Sequence, residues 1–111
     1  MKRPGNRHTP SRRPGTVLLV LPFLCATPDG FAADVFKGKT VYRNYCEACH
    51  GQNGQGAMPG TPNFSRGQGL LQTDLALFNR IRAGKNAMPA FQGVLETEQM
   101  LDVITYLRTF F

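Results

Sequence analysis

The chain has 111 residues, of which 41% are hydrophobic and 18% charged, and its formal net charge is +6. That length admits one small domain plus whatever is cut away from it, and excludes a multidomain assembly. The charge does not indicate nucleic acid: residues 1–33 hold five basic residues against one acid, whereas residues 34–111 hold eight scattered ones against six, which is an ordinary solvated surface.

Residues 1–33 read as a secretory signal peptide. Lys2, Arg3, Arg7, Arg12 and Arg13 form a basic start, and TVLLVLPFLCA follows from Thr16 to Ala26 as the apolar run. A bilayer core of ~30 Å takes about 20 residues of helix, so this run is too short to span, and Pro22 interrupts it. No stable membrane insertion is expected after cleavage. Ser11-Arg12-Arg13 is read as part of the basic start, and Cys25 as part of the apolar run. Gly30 and Ala32 suit a cut after Ala32, with a cut after Ala33 as the alternative. The expected location is therefore the periplasm, and residues 34–111 form the working domain.

That domain reads as all-α, with about three main helices and long loops, because no alternating strand pattern appears in it. The first helix is expected from Val35 to Ala48, with Val35, Phe36, Val41, Tyr42 and Tyr45 as its apolar residues. Gly38 sits inside it, where glycine costs ~1 kcal/mol against alanine, so close packing of another helix is expected there. Next comes Cys46-Glu47-Ala48-Cys49-His50, and then a glycine-rich stretch to Gln72 with neither helical nor strand period. A structureless loop of about twenty residues is unusual in a small domain unless it wraps something.

The second helix opens at Thr73 as N-cap, has Asp74 in its first turn, places Leu75, Phe78 and Ile81 on one face, and closes at Gly84. The third opens at Thr97 and runs to the chain end, with Met100, Val103, Ile104, Leu107 and Phe111 at core spacing and Tyr106 and Phe110 widening that face. A domain this small is near the size at which folds need a staple.

Cys46 and Cys49, three apart and followed by His50, have the spacing of c-type haem attachment. On one helical turn two sulfurs can reach the vinyl groups of one porphyrin edge, and the next histidine then lies under the iron as a ligand. Other uses of the pentapeptide fit less well. A thioredoxin-like dithiol belongs in a βαβ setting, and a structural zinc site needs four ligands where the domain offers two thiols and one imidazole. A plain disulfide would explain neither His50 nor the long loop.

With these residues in place the chain resembles the small single-haem cytochromes c of bacteria, of the class I type. The pattern appears as CEACHG at 46–51, GTPNF at 60–64, GKNAMPAF at 84–91 and a terminal helix containing DVITYLR at 102–108. The resemblance covers residues 35–111 and implies the class I cytochrome c fold wrapped around one covalently bound haem c and its iron. It implies Met88 as the second axial ligand, chosen over Met58, which is only eight residues past His50, and over Met100 on the core face of the last helix. It implies that the backbone carbonyl of Pro62 accepts a hydrogen bond from the other ring nitrogen of His50, and that Gly38 and Tyr106 lie where the first and last helices cross. The expected cofactor-binding set is Cys46, Cys49, His50, Pro62 and Met88, with His50 and Met88 as metal ligands and no catalytic residue. The function implied is one-electron transfer between redox partner proteins, not enzymatic turnover. The competing class is an enzyme: a thiol-disulfide oxidoreductase, or a haem peroxidase or gas-binding protein with a weak sixth ligand.

Overall fold

The computed structural model of the protein describes residues 32–111, together with the isolated positions 1, 2, 5, 10, 11, 14 and 15. The apolar run of the expected signal peptide lies outside the described residues. Four α-helices follow in order: α1 (Val35–Tyr45), α2 (Glu47–His50), α3 (Asp74–Ala83) and α4 (Thr97–Leu107), with short 3-10 turns at Phe64–Arg66 and Arg108–Phe110. Among the described residues the only strand-like pairings are two isolated bridges, Lys85 with Met88 and Gln92 with Leu95. The all-α expectation holds.

The packing is organised by the crossing of α1 over α4. Asp34 caps α1, its carboxylate accepting from the amides of Phe36 (2.8 Å) and Lys37 (3.2 Å). Gly38 is buried at the crossing, and a Cβ built there would stand 2.0 Å from the Asp102 carbonyl oxygen and 3.0 Å from the Tyr106 Cβ. Any side chain at 38 would push the helices apart, so the sequence expectation for Gly38 and Tyr106 is met for a steric reason. Val41 and Tyr42 of α1 face Met100, Val103, Ile104 and Leu107 of α4 in a core completed by Phe64, Leu70, Leu77, Ile81, Phe91 and Leu95.

Helix boundaries differ from expectation in two places. The first helix does not continue to Ala48: Cys46 leaves helical geometry (φ −121°, ψ −35°) and separates α1 from the single turn of α2. Beyond that turn the chain folds back, and the amides of Ala57 and Met58 bond the Cys49 carbonyl while Gly56 bonds that of His50. Carbonyls that a longer helix would have used internally are thereby satisfied from the loop. The last helix gives way to a 3-10 turn after Leu107, and Phe111 is exposed.

In α3, Thr73 caps as expected, its hydroxyl accepting from the Ala76 amide at 3.2 Å, and Gly84 ends the helix. The buried face, however, is Leu77 and Ile81, while Leu75 is 69% exposed. Both sets have helical spacing, and the position of α4 selects between them.

Candidate haem-attachment site

The turn α2 brings three of the five predicted site residues together. Cys46 opens it, and the amides of Cys49 (3.2 Å) and His50 (2.9 Å) bond back to the Cys46 carbonyl. Cys46 is half-buried against the core and Cys49 is exposed; both are free thiols. Burial, reinforced by the neighbouring Cys49, pushes the Cys46 thiol up to about 12. Dithiol exchange requires a leading cysteine whose pKa is lowered and whose sulfur is accessible, so this thiol is poorly suited to attack a disulfide.

His50 is buried, and its Nδ1 has no hydrogen-bond partner. Burial lowers its pKa, which favours the neutral imidazole a metal ligand requires. The ring stacks on Phe64 at 4.6 Å between centroids, with 13° between planes. Pro62 is half-buried two residues before Phe64. The hydrogen bond expected between His50 and its carbonyl is not formed here, since Nδ1 remains unpartnered. A buried polar nitrogen left without a partner is costly, and its presence beside two free thiols fits a ring to be oriented by a bound group. The residues present therefore fit haem attachment. Among the described residues no three of histidine, cysteine, aspartate and glutamate are placed to hold a metal ion between them.

The segment after α3 positions Met88. Lys85 and Met88 exchange backbone hydrogen bonds at 3.0 Å, closing a turn in which Asn86 is left-handed (φ 54°). Phe91 and Gln92 then donate to the Ile81 and Arg82 carbonyls at 3.1 Å, tying the loop to the last turn of α3. Gly84, at φ 69°, permits this: a Cβ there would lie 2.6 Å from the Met88 carbonyl oxygen and 2.7 Å from the Ala90 nitrogen. Met88 is half-buried against the core. Met58 contrasts with it on every count: it is 51% exposed, and its amide is bonded at 3.2 Å to the Cys49 carbonyl, which ties it to the His50 turn. Met100 is fully packed in α4.

Two residues of the site's frame were not singled out by the sequence. The Tyr42 hydroxyl donates to the Gly51 carbonyl at 2.6 Å, immediately after His50; burial and then the nearby Cys46 hold this phenol protonated by raising its pKa. Arg108 donates to the carbonyls of Leu70 and Gln72, the latter at 2.6 Å, and pairs with Asp74 at 2.6 Å. It thereby fastens the far end of the long loop to the start of α3. Tyr42 carries a faint sequence signal as a polar-tipped aromatic four residues before the first cysteine; Arg108 carries none, because its partners lie 34 to 38 residues away.

The chain is similar to known proteins in sequence and in fold. Residues 33–107 match the family described as cytochrome C oxidase, cbb3-type, subunit III. The chain is 36% identical over 87 residues to a cytochrome c6 of Thermostichus vulcanus, covering 77% of this chain and 78% of that protein. It is 33% identical over 79 residues to a cytochrome c6 of Gracilaria tenuistipitata var. liui, covering 69% and 73%. The solved cytochrome c6 of the diatom Phaeodactylum tricornutum superposes with a TM-score of 0.57 at 28% identity, over 68% of this chain and 92% of that one.

Proposed function

We propose that this chain, which belongs to the small monohaem class I cytochromes c and is an electron carrier rather than an enzyme, works in the periplasm with Cys46 and Cys49 as haem anchors and His50 and Met88 as the axial ligands. Membership brings one covalently bound haem c and its iron, and with them partners that give and take electrons. When bound, the haem supplies one-electron chemistry. The polypeptide holds the ligands, excludes water with the core around Leu77, Ile81 and Phe91, and keeps the two ligand segments in place.

The observation that carries the ligand assignment is the different tethering of the two loop methionines. Met58 is bonded to the turn that bears His50, whereas Met88 hangs from the end of α3 with its side chain turned to the core. A ligand on the second face of a porphyrin must come from a segment independent of the first, which Met88 satisfies. With the haem bound, Pro62 would supply the carbonyl for the His50 Nδ1–H, a nitrogen that is buried and without a partner in the polypeptide. Periplasmic location rests on the basic and apolar pattern of residues 1–33, and agrees with two cysteines that need a bonded state outside the cytoplasm.

Paired variants test this reading. Met88→Ala should lose the near-infrared sulfur-to-iron band, bind external ligands and fall in potential by of order 100 mV, within the ~0.8 V that axial ligation spans. Met58→Ala, in the same Met-Pro context, should retain the parental spectrum. The reverse pattern would overturn the assignment.

A further inference from the structure

Asp102 is a buried carboxylate, 8% exposed, in the middle of α4. Its Oδ1 accepts from the Asp34 amide at 2.6 Å. Among the described residues no lysine or arginine pairs with it, the only ion pair being Arg108 with Asp74. Its one hydrogen-bond donor among the described residues is that neutral amide, so the charge of the carboxylate is left to the solvent and to whatever enters the hollow it faces.

The surroundings point to what completes it. Beside Asp102 lies a hollow of about 60 Å³ lined by Ala32, Ala33, Lys37, Glu98, Leu101 and Asp102. The charged groups facing it are the carboxylates of Glu98 and Asp102 and the amine of Lys37, with the Asp34 carboxylate engaged in capping α1. Ala32 and Ala33 are exposed and lie at the expected cut. In the uncut chain the backbone here is neutral. A cut after Ala32 turns the nitrogen of Ala33 into an ammonium one residue from the amide that already meets Asp102, and a cut after Ala33 places that ammonium on the bonded nitrogen itself.

We propose that removal of the leader completes this site: the new chain-terminal ammonium seats in the hollow and pairs with Asp102, clasping the start of α1 to α4. The inference rests on the leader being removed. Its consequence is directional. The crossing of α1 and α4 carries Cys46 at the end of α1, so the clasp strengthens the frame of the haem turn only in the processed chain, while the precursor awaiting export lacks it.

The experiment uses exported holoprotein in four forms: the processed chain, the same chain with Ser-Gly added before Ala33, and each of these carrying Asp102→Asn. Asparagine keeps the size and the acceptor for the Asp34 amide while removing the charge. Mass spectrometry first reads the terminus; Ala33 or Asp34 supports the leader reading, and an intact Met1 overturns that reading and the clasp together. Denaturant unfolding then reads the clasp alone. The extension should raise the unfolding equilibrium constant about fivefold or more in the parent and leave the Asp102→Asn pair equal. Glu98→Gln, on the exposed rim, should preserve the difference. A correct terminus with equal stabilities, or an extension effect of the same size in Asp102→Asn, overturns the clasp and leaves the leader reading intact.

Discussion

The side of the molecule where α1 crosses α4 and the side formed by residues 51–72 and 84–95 are held in different ways. At the crossing, contact is close and direct, backbone on backbone where Gly38 meets the Asp102 carbonyl and ring on ring where Tyr42, Tyr106 and Phe110 pack at 5.2 to 5.4 Å. On the other side a few anchors, Phe64, Leu70, Phe91 and Leu95, reach the core, and the chain between them is tied by hydrogen bonds, from Phe91 and Gln92 to the end of α3 and from Arg108 to Leu70 and Gln72. Met58, Leu71 and Val94 are exposed there, and the buried Nδ1 of His50 at its edge has no polypeptide partner. The crossing packs without any bound group. The loop side is where the prosthetic group that the family carries would complete the packing, and the proposed anchors lie where the two sides meet, on the turn from Cys46 to His50.

The largest test of that contrast is removal of the attachment itself. Cys46→Ala with Cys49→Ala should abolish stable holoprotein, measured as covalent haem per chain and folded yield after export, because the group that completes the loop side is no longer fixed. Normal yield of folded, haem-bearing protein would show that the loops organise without it.

Breaking the crossing comes second. Gly38→Val would drive a branched side chain into the Asp102 carbonyl, and we expect a loss of about 4 kcal/mol or more in denaturant unfolding, in the range kept for severe overpacking. A loss under ~1 kcal/mol would mean that the helices can move apart freely and that the crossing is not the rigid half.

Arg108→Gln sharpens the comparison from the loop side. It removes a cation that donates to two carbonyls and a carboxylate, and should cost about 2 kcal/mol after discounting the exposed Asp74 for solvent screening. Hydrogen exchange should rise selectively around residues 70–74 while amides of the crossing stay protected. Uniform deprotection would instead join both sides into one unit.

The smallest effect is expected from Tyr42→Phe, which keeps the ring in the crossing and deletes only the hydroxyl bonded to Gly51. About 1 kcal/mol of stability should be lost, as for a buried carbonyl left without its donor. A shifted haem absorption or potential would show in addition that this bond orients His50; an unchanged spectrum would confine Tyr42 to packing.

Much of this architecture was legible in the sequence because it depends on neighbours a few residues apart. Thr73 as a cap, Gly84 as a stop and close packing at Gly38 follow from local geometry and side-chain chemistry, and Tyr106 as the partner of Gly38 from the family resemblance. Local periodicity went wrong where two helical faces were equally regular, as with Leu75 against Leu77, and where a helix was interrupted by partners outside it, as at Cys46. Those outcomes depend on which surface arrives from elsewhere in the chain. The same holds for Arg108 reaching Leu70, Gln72 and Asp74, and for Asp102 meeting the Asp34 amide 68 residues away. The sequence alone determined where thiol, imidazole and thioether groups stand along the chain and which residues cap or stop a helix, since those are properties of side chains and short backbone stretches. Only the tertiary structure decided which donors reached which carbonyls and carboxylates and which buried group was left without a partner, as at His50 Nδ1, because an unsatisfied buried group is defined by everything that surrounds it.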